Sequence, residues 1–221
     1  GIVMACLPFN IEYSGLLTPD VAAGLCTAVY FLCATRYYNR PRWYTLFGMM
    51  LCAGLATGAK YNFISLALVT SWLVWQSTNI TLQKWLLLVG TWVGTFTLFV
   101  ITSPSVFFHF DDFIRGFVNI NRYYFNASAN DPVRNQHFPL LMYIEWFGGV
   151  ILPVAIALMG VWGMIFAIRS RHPILLASLA FAALNVGFFF AQSAHAPRNF
   201  MFTQPIAVVM GFYGIKKLAD Y

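Results

Sequence analysis

The stretch WLLLVGTWVGTFTLFVIT, residues 85–102, contains no charged side chain. A helix that crosses a bilayer needs roughly 17–25 mostly apolar residues, and this stretch is long enough. Further stretches have the same character, so we predict an all-α fold, a polytopic bundle of about seven transmembrane helices after a truncated first one at residues 1–8. The predicted spans are Pro19–Thr35, Trp43–Ala59, Tyr61–Gln76, Trp85–Thr102, Trp146–Ile168, Pro173–Ala191 and Phe200–Ile215.

The composition indicates the same environment. Hydrophobic residues make up 60% of the chain and charged residues only 9%, whereas soluble domains carry roughly 25% charged residues. The chain therefore cannot cover a water-soluble globule with polar groups, and membrane lipid is a predicted partner. The net charge of +6 is spread over short loops, which argues against a nucleic-acid partner. The sequence predicts neither a disulfide framework nor a zinc site, because its cysteines form no CxxC pair. They are Cys6, Cys26, Cys33 and Cys52.

More of the basic residues lie on one side of the predicted bundle than on the other, eight against five. That side carries Arg36, Arg40, Arg42, Lys84, Arg169, Arg171, Lys216 and Lys217. The other side carries most of the acids, Glu12, Asp20, Asp111, Asp112, Asp131 and Glu145. Because cytoplasmic loops are enriched in Lys and Arg, we predict that the first side is cytoplasmic. Chemistry that needs a carboxylate would then take place outside the cytoplasm.

One long connection, residues 103–145, is predicted to be an extracytoplasmic loop. Its first half has apolar residues at helical spacing, which predicts an amphipathic helix at the membrane interface. The apolar positions are Val106, Phe110, Phe113, Ile114 and Phe117, and the opposite face holds Asp112, Arg115, Asn119 and Arg122. We predict that residues 1–221, which include this loop, form a single transmembrane domain. We expect it to be a fragment of a longer protein, because the chain opens inside an apolar run.

Two pairs of glycines predict close contact between helices. Gly54 and Gly58 are four residues apart, as are Gly90 and Gly94. Small residues at this spacing lie on one face of a helix and let a neighbouring backbone approach. Packing of the bundle is a sufficient reason for both pairs.

Candidate site residues lie at the predicted outer membrane boundary, where a charge is costly. Asp20 begins the first span and either complements the helix dipole or serves as an active-site carboxylate. Lys60 lies in the short turn before the third span, and either extends to the interface or binds a lipid phosphate. His195 and Arg198 precede the last span, and Arg198 is either an interfacial anchor or a phosphate ligand.

A second polar cluster lies in the long loop. His109, Asp111 and Asp112 occur together there, and Arg115 follows one helical turn later. Carboxylate and imidazole groups so close in sequence could form an acceptor or metal site. The alternative is a solvated face of the amphipathic helix, which the helical spacing favours.

Three stretches of the chain resemble motifs of the GT-C class of integral membrane glycosyltransferases. Residues 8–21, PFNIEYSGLLTPDV, are similar to the proline, serine and acidic residue that precede a long apolar helix in this class. Residues 54–61, GLATGAKY, are similar to its glycine-rich turn ending in Lys-Tyr. Residues 195–205, HAPRNFMFTQP, are similar to its late arginine-aromatic segment. The resemblance is closest to the protein-mannosyltransferase-like branch, which includes the bacterial aminoarabinose transferases of lipid A.

The resemblance implies a function and roles for these residues. Enzymes of this branch transfer a sugar from a polyprenyl phosphate to a lipid, glycan or protein acceptor by direct displacement at the anomeric carbon. Asp20 would be a second acid in the catalytic cavity, while Lys60 and Arg198, with His195 nearby, would hold the donor phosphate. The branch's principal catalytic Asp would precede Gly1, so we expect this fragment alone to be inactive. Some relatives use a divalent metal, and no other cofactor is implied.

The chain departs from the family pattern at Asn199, where a tyrosine is more usual. Two other functions compete with the enzyme: a transporter or flippase for a lipid-linked glycan, and a non-catalytic membrane subunit. Transport would need polar residues along the spans, and few occur there, among them Asn62, Asn185 and Gln204. The resemblance favours the inner membrane of a bacterium. The sequence leaves the sugar, the acceptor, metal dependence and oligomeric state open.

Overall fold

The computed structural model describes residues 19–78, 80–126, 144, 154–191, 200 and 202–219. These residues are helical or lie in short connections, and no strand occurs among them. The all-α prediction is therefore confirmed for this part of the chain. The predictions for residues 8–14, 127–137, 195 and 198 fall outside the described residues.

The helices agree closely with the predicted spans. The third predicted span opens as a 3-10 turn, Tyr61–Ile64, before its α-helix begins, and the described part of the fifth begins at Val154. In chain order the helices are α1 Pro19–Asn39, α2 Trp43–Ala59, α3 Ser65–Ser77, α4 Thr81–Thr102, α5 Ser105–Phe108, α6 Phe110–Asn126, α7 Val154–Ser170, α8 Pro173–Phe190 and α9 Thr203–Ala219.

Helices α1 and α3 run side by side in the same direction, and the two side-chain to side-chain hydrogen bonds between them each join residues 40 positions apart. The Tyr30 hydroxyl lies 2.7 Å from the Thr70 hydroxyl, 40 residues further on. One end of the pair is closed by Ser77, which donates to the Tyr37 hydroxyl at 3.2 Å with the same offset of 40 residues. The buried Tyr30 thereby satisfies its hydroxyl inside an apolar bundle, as a buried polar group must.

Glycines let α2 and α4 approach closely, as predicted. A Cβ on Gly54 would lie 2.6 Å from Leu98 Cβ, and one on Gly58 would collide with Thr102. Gly94 faces Met50 in the same contact. The prediction is wrong for Gly90, where a Cβ would meet no described atom within 4 Å, so only Gly94 of this pair takes part in the crossing.

A second close crossing joins α7 to α9. A Cβ on Gly163 would collide with the backbone of Met210, and one on Gly214 would lie 3.1 Å from Gly163 Cα. Gly160 lies on the same face of α7, and a Cβ there would lie 3.4 Å from the Ala207 carbonyl oxygen. Small residues on both helices thus produce this packing, which the sequence reasoning had not identified.

Aromatic rings fill the centre of the bundle. Phe63, Phe181 and Phe202 are at most 1% exposed, and their ring centroids lie 5.4–5.7 Å apart in edge-to-face pairs. This geometry is the favoured one for aromatic pairs. The cluster joins the 3-10 turn, α8 and the start of α9, and it lies next to the candidate site.

The amphipathic helix in the long connection begins later than predicted. Val106 was expected to continue into the helix of Phe110 and Phe113, but it lies in the separate short helix α5. His109 has non-helical backbone angles and ends α5, and its carbonyl then accepts a hydrogen bond from the Phe113 N–H at 2.9 Å. This break lets α6 change direction and bring its apolar face to Tyr61.

Within the described residues, α4 and α8 are long and apolar enough to cross a membrane by length and composition. Helices α2 and α7 are apolar but shorter, with 17 residues each. Only 17% of the apolar window of α4 is buried inside the bundle, so most of this helix presents apolar side chains outward. The full set of seven spans stays a prediction.

The predicted basic residues gather at one end of the bundle, here called the basic end. At this end the His172 ring lies 6.0 Å from Tyr38 and 6.4 Å from Tyr213, and Tyr213 donates a hydrogen bond to Ser170 at 2.9 Å. These contacts bring together the end of α1, the start of α8 and the last turns of α7 and α9. The helix ends that carry these cations therefore lie at the same end of the bundle, as the sequence predicted.

Candidate functional site

Two of the predicted site residues, Asp20 and Lys60, form an ion pair at the end of the bundle opposite the basic end. Asp20 lies in the first turn of α1, where a carboxylate complements the helix dipole. Lys60 follows α2 in an extended conformation, with φ −149° and ψ 119°, and its N–H still bonds to Ala56. The side chains are 7% and 17% exposed, so both charges lie largely away from water.

Aromatic contact also fixes the lysine. Its Nζ lies 5.2 Å from the centroid of the Phe189 ring, near the end of α8. A cation over a ring face is attracted by the ring quadrupole, and more strongly so when it is desolvated. Lys60 is thus held by a carboxylate from α1 and a ring from α8, which defines the position of its ammonium group.

A polar network lies directly beside Lys60. Asn185 is 1% exposed although it lies in the apolar helix α8. Its amide accepts from the Asn62 side chain and donates to Ser65 Oγ at 2.8 Å and to the Phe181 carbonyl at 2.9 Å. Ser65 in turn donates to the Asn62 carbonyl at 2.9 Å. The network therefore fastens the 3-10 turn that follows Lys60 to α8.

Tyr61 holds the amphipathic helix against the bundle. Its ring centroid lies 5.5 Å from those of both Phe113 and Phe117 in α6, and 6.1 Å from that of Phe99 in α4. Phe113 and Phe117 are on the face predicted to be apolar, so that prediction is confirmed. The residue next to Lys60 consequently places α6 beside the site.

These elements enclose a cavity of about 680 Å³. Its polar groups come from the Lys60 turn, from α6 and from α8, and the rest of its wall is apolar. The lining residues are Pro19, Gly58, Ala59, Lys60, Tyr61, Asn62, Ile64, Ser65, Leu68, Trp92, Phe117, Ile120, Asn121, Leu184, Asn185, Phe188 and Phe189. A cavity with one charged end and an apolar body suits an amphiphilic ligand with an anionic head.

The chemistry of the site has to be inferred from its own groups. Comparisons of the chain with family models, with curated proteins and with solved structures give no match. The resemblance to the GT-C class therefore stays a hypothesis based on short motifs. Among the described residues, the cavity wall offers one ammonium group, which is paired with the Asp20 carboxylate, and a set of amide and hydroxyl groups.

The remaining predicted residues stand apart from this cavity or cannot be assigned to it. Asp112 and Arg115 form an ion pair at 3.0 Å but are 72% and 74% exposed, and Asp111 is also exposed. None of these three lines the cavity. Their exposure agrees with the alternative interpretation, a solvated face of the amphipathic helix. His195 and Arg198 fall outside the described residues. Among those that are described, no group of three His, Cys, Asp or Glu side chains could hold a metal ion.

Sequence reasoning missed the role of the polar network. Asn62 and Asn185 were noted as polar residues in apolar spans, but only in relation to a transport path, and Ser65 was not noted. The available signal was Asn185, because an amide in the middle of the apolar helix α8 requires a partner. The identity of that partner depends on helix packing, since Asn62 and Asn185 are 123 residues apart.

Proposed function

We propose that this chain is the membrane part of a glycosyltransferase that moves a sugar from a polyprenyl-phosphate donor to an extracytoplasmic acceptor. The observation that carries the proposal is Lys60, which lines the polar end of an otherwise apolar cavity and pairs with Asp20. A polyprenyl phosphate has the complementary form, with an anionic head and a long hydrocarbon chain. The short motifs shared with the GT-C class include both residues of the pair.

The outer surface of α4 supports a membrane location. A stripe of large apolar side chains runs along it with exposures between 56% and 70%: Leu82, Leu86, Val89, Val93 and Phe96. A soluble protein rarely presents so large a continuous apolar surface to water. The helix has 22 residues, and at 1.5 Å per residue this covers a hydrocarbon core of about 30 Å.

The distribution of charge supports an extracytoplasmic site. The basic end carries the arginines and lysines predicted to be cytoplasmic, together with the exposed rings of Trp43, Trp75 and Trp85. Tryptophan concentrates at membrane interfaces, and basic residues concentrate on the cytoplasmic side. The Asp20–Lys60 pair is at the opposite end and would therefore face outward.

The proposed reaction assigns a task to each group. The acceptor oxygen forms a bond to the anomeric carbon while the bond from that carbon to the phosphate oxygen breaks, so polyprenyl phosphate leaves as an anion. Lys60 would hold this phosphate and stabilise the charge that develops on it, which is where fixed cations lower a barrier most. Asp20, which does not line the cavity, would hold the ammonium group in place. The acceptor proton passes to a general base, a role that the GT-C class gives to an aspartate outside the three stretches this chain resembles.

Transport of a lipid-linked glycan is the main competing function. A flippase needs a polar route from one leaflet to the other. Next to the network of Asn62 and Asn185 lies the cluster of Phe63, Phe181 and Phe202, whose rings are almost fully buried. An apolar block at this depth favours chemistry at one membrane face over passage through the bundle.

Sugar transfer by the full-length protein in proteoliposomes, with polyprenyl-phosphate sugars as donors, tests the proposal. We expect Lys60→Gln and Asp20→Asn each to lower the transfer rate by about 100-fold or more, as loss of one positioned charge does elsewhere. Arg122→Gln removes an exposed charge from α6 and should retain the wild-type rate. Unchanged rates in both Lys60→Gln and Asp20→Asn would exclude this site as the place of reaction.

A further inference from the structure

A second cavity, of about 470 Å³, lies at the basic end of the bundle. It is enclosed by the connection between α1 and α2 and by the connection between α3 and α4. Its lining includes Arg42, Ser77, Thr78, Ile80 and Gln83. The function proposed above assigns no role to this cavity.

Arg42 supplies the cation of the second cavity. Its guanidinium donates one hydrogen bond to the Tyr44 hydroxyl at 2.8 Å and lies 5.7 Å from the centroid of that ring. These contacts orient the group and leave its other N–H donors available, in the planar arrangement that matches a phosphate. In the described part of the chain the carboxylates are Asp20, Asp111 and Asp112, all at the far end, so no described acid neutralises Arg42.

Two helix N-termini meet at the same cavity. Helix α2 begins after Arg42 and helix α4 begins after Ile80, and neither of these residues provides a side-chain cap. The first N–H groups of a helix have no partner within the helix and carry partial positive charge. Two such ends beside a guanidinium produce a positive potential that no described carboxylate neutralises.

Thr78 is an independent sign of a polar ligand. It lines the cavity and is only 8% exposed, and its N–H bonds to the Val74 carbonyl. Its hydroxyl has no hydrogen-bond partner among the described residues. A ligand oxygen in the cavity can accept a hydrogen bond from this hydroxyl.

We propose that this cavity binds the phosphate headgroup of an anionic phospholipid from the leaflet at the basic end. Arg42 and the two helix N-termini attract the phosphate, and Thr78 and Gln83 offer hydrogen bonds to it. The surroundings favour a lipid over a soluble phosphate. Trp43 at the rim is 80% exposed, and the apolar stripe of α4 continues from Leu82 along the bundle, so acyl chains could lie against it.

The inference uses the membrane location proposed above but not the sugar-transfer reaction. Resistance of the chain to extraction from membranes by alkaline carbonate tests the location by itself. Headgroup binding is measured without any sugar donor. A protein that does not bind the headgroup could therefore still transfer sugar, and one that binds the headgroup could fail to transfer sugar.

The test is native mass spectrometry of the full chain in detergent with added phosphatidylglycerol, phosphatidylcholine or glycerol phosphate. We expect one phosphatidylglycerol to bind at least tenfold more tightly than phosphatidylcholine. Arg42→Gln should remove this preference. Arg40→Gln changes an exposed arginine two residues away that does not line the cavity, so it should keep the preference within twofold.

Gln83→Glu is the second variant, because it places a negative charge at the exposed edge of the cavity and disturbs no described hydrogen bond. If Arg42→Gln does not fold, Gln83→Glu still tests the proposal. We expect Gln83→Glu to lower phosphatidylglycerol binding at least tenfold. Three results would overturn the proposal. They are wild-type phosphatidylglycerol binding by both folded variants, a loss of this binding in Arg40→Gln as large as in Arg42→Gln, and no preference for phosphatidylglycerol in the wild type. Glycerol phosphate binding as tightly as the lipid would overturn the assignment to a phospholipid.

Discussion

At the scale of single residues, the sequence identified Asp20 and Lys60 but did not predict that they pair. Each stood out because a charge beside an apolar span is expensive. Their contact depends on α1 and α3 running in the same direction, with α2 returning the chain between them. That arrangement comes from tertiary packing, which no local pattern in the sequence encodes. Their roles in catalysis and phosphate binding stay predictions.

Removing one member of the pair should destabilise the fold more than removing both. Lys60→Met removes the Lys60 ammonium group from the largely buried Asp20 carboxylate, and we expect a loss of about 3–5 kcal/mol in the free energy of unfolding. Combining Lys60→Met with Asp20→Asn should recover at least half of that loss. Denaturant unfolding of the detergent-solubilised protein measures both values.

Asp112→Asn is the matched control, since it breaks an ion pair whose side chains are 72% and 74% exposed. Exposed pairs contribute about 0–1 kcal/mol, so little change is expected. Additive losses in the Lys60 and Asp20 variants would show that the two charges are not coupled.

At the scale of elements, glycine spacing predicted one helix crossing and missed the other. Gly54 and Gly58 are four residues apart, the spacing on which the prediction relied, and α4 contacts both. Gly160 and Gly163 are three residues apart on α7, as are Gly211 and Gly214 on α9. Residues three apart also share a helix face, so a search for both spacings would have found the α7–α9 contact.

Gly54→Ala should separate packing from backbone effects at the α2–α4 crossing. The new methyl group would meet Leu98 Cβ at 2.6 Å and the Thr95 carbonyl at 3.0 Å, and overpacking of this kind costs about 1–3 kcal/mol. Gly90→Ala is the control, because no described atom lies within 4 Å of its Cβ position. Alanine is the better helix former, so Gly90→Ala should be neutral or stabilise by up to about 1 kcal/mol. Thermal unfolding compares the two, and equal shifts would contradict the close crossing.

Tyr61 should control how firmly α6 is held over the larger cavity. Tyr61→Ala removes the ring that contacts Phe113 and Phe117, and each aromatic pair contributes about 0.5–1.5 kcal/mol beyond burial. We therefore expect the amide hydrogens of α6 to exchange at least tenfold faster in Tyr61→Ala. Tyr61→Phe keeps the ring and should exchange as the wild type does. Unchanged exchange in Tyr61→Ala would mean that other contacts hold this helix.

At the scale of the whole molecule, the sequence predicted the helical fold and the separation of charge. Both followed from local properties, namely the length of apolar runs and the sign of the residues between them. The shape of the cavities could not be predicted in this way, because each is formed by residues from at least three separate elements. The break at His109 was missed for a related reason, since apolar spacing continues across it without interruption.

Cysteine accessibility tests the proposed orientation. In a chain whose own cysteines are replaced, Arg40→Cys marks the basic end and Asp112→Cys marks the opposite end. A maleimide that cannot cross membranes should label Asp112→Cys in intact cells, and Arg40→Cys only after the membrane is opened. The reverse pattern would place the Asp20–Lys60 pair in the cytoplasm and contradict the proposed site of sugar transfer.

The offset of 40 residues shared by the side-chain pairs Tyr30–Thr70 and Tyr37–Ser77 restricts how the length of this chain can vary. Deleting one residue between Asp20 and Tyr30 would rotate Asp20 by about 100° around α1 and shift it by about 1.5 Å, while Tyr30 stayed opposite Thr70. The ion pair would be lost although every remaining amino acid was unchanged. Insertions and deletions should therefore be tolerated in the connections and rejected inside these two helices, so that the spacing of residues is under as strong a constraint as their identity.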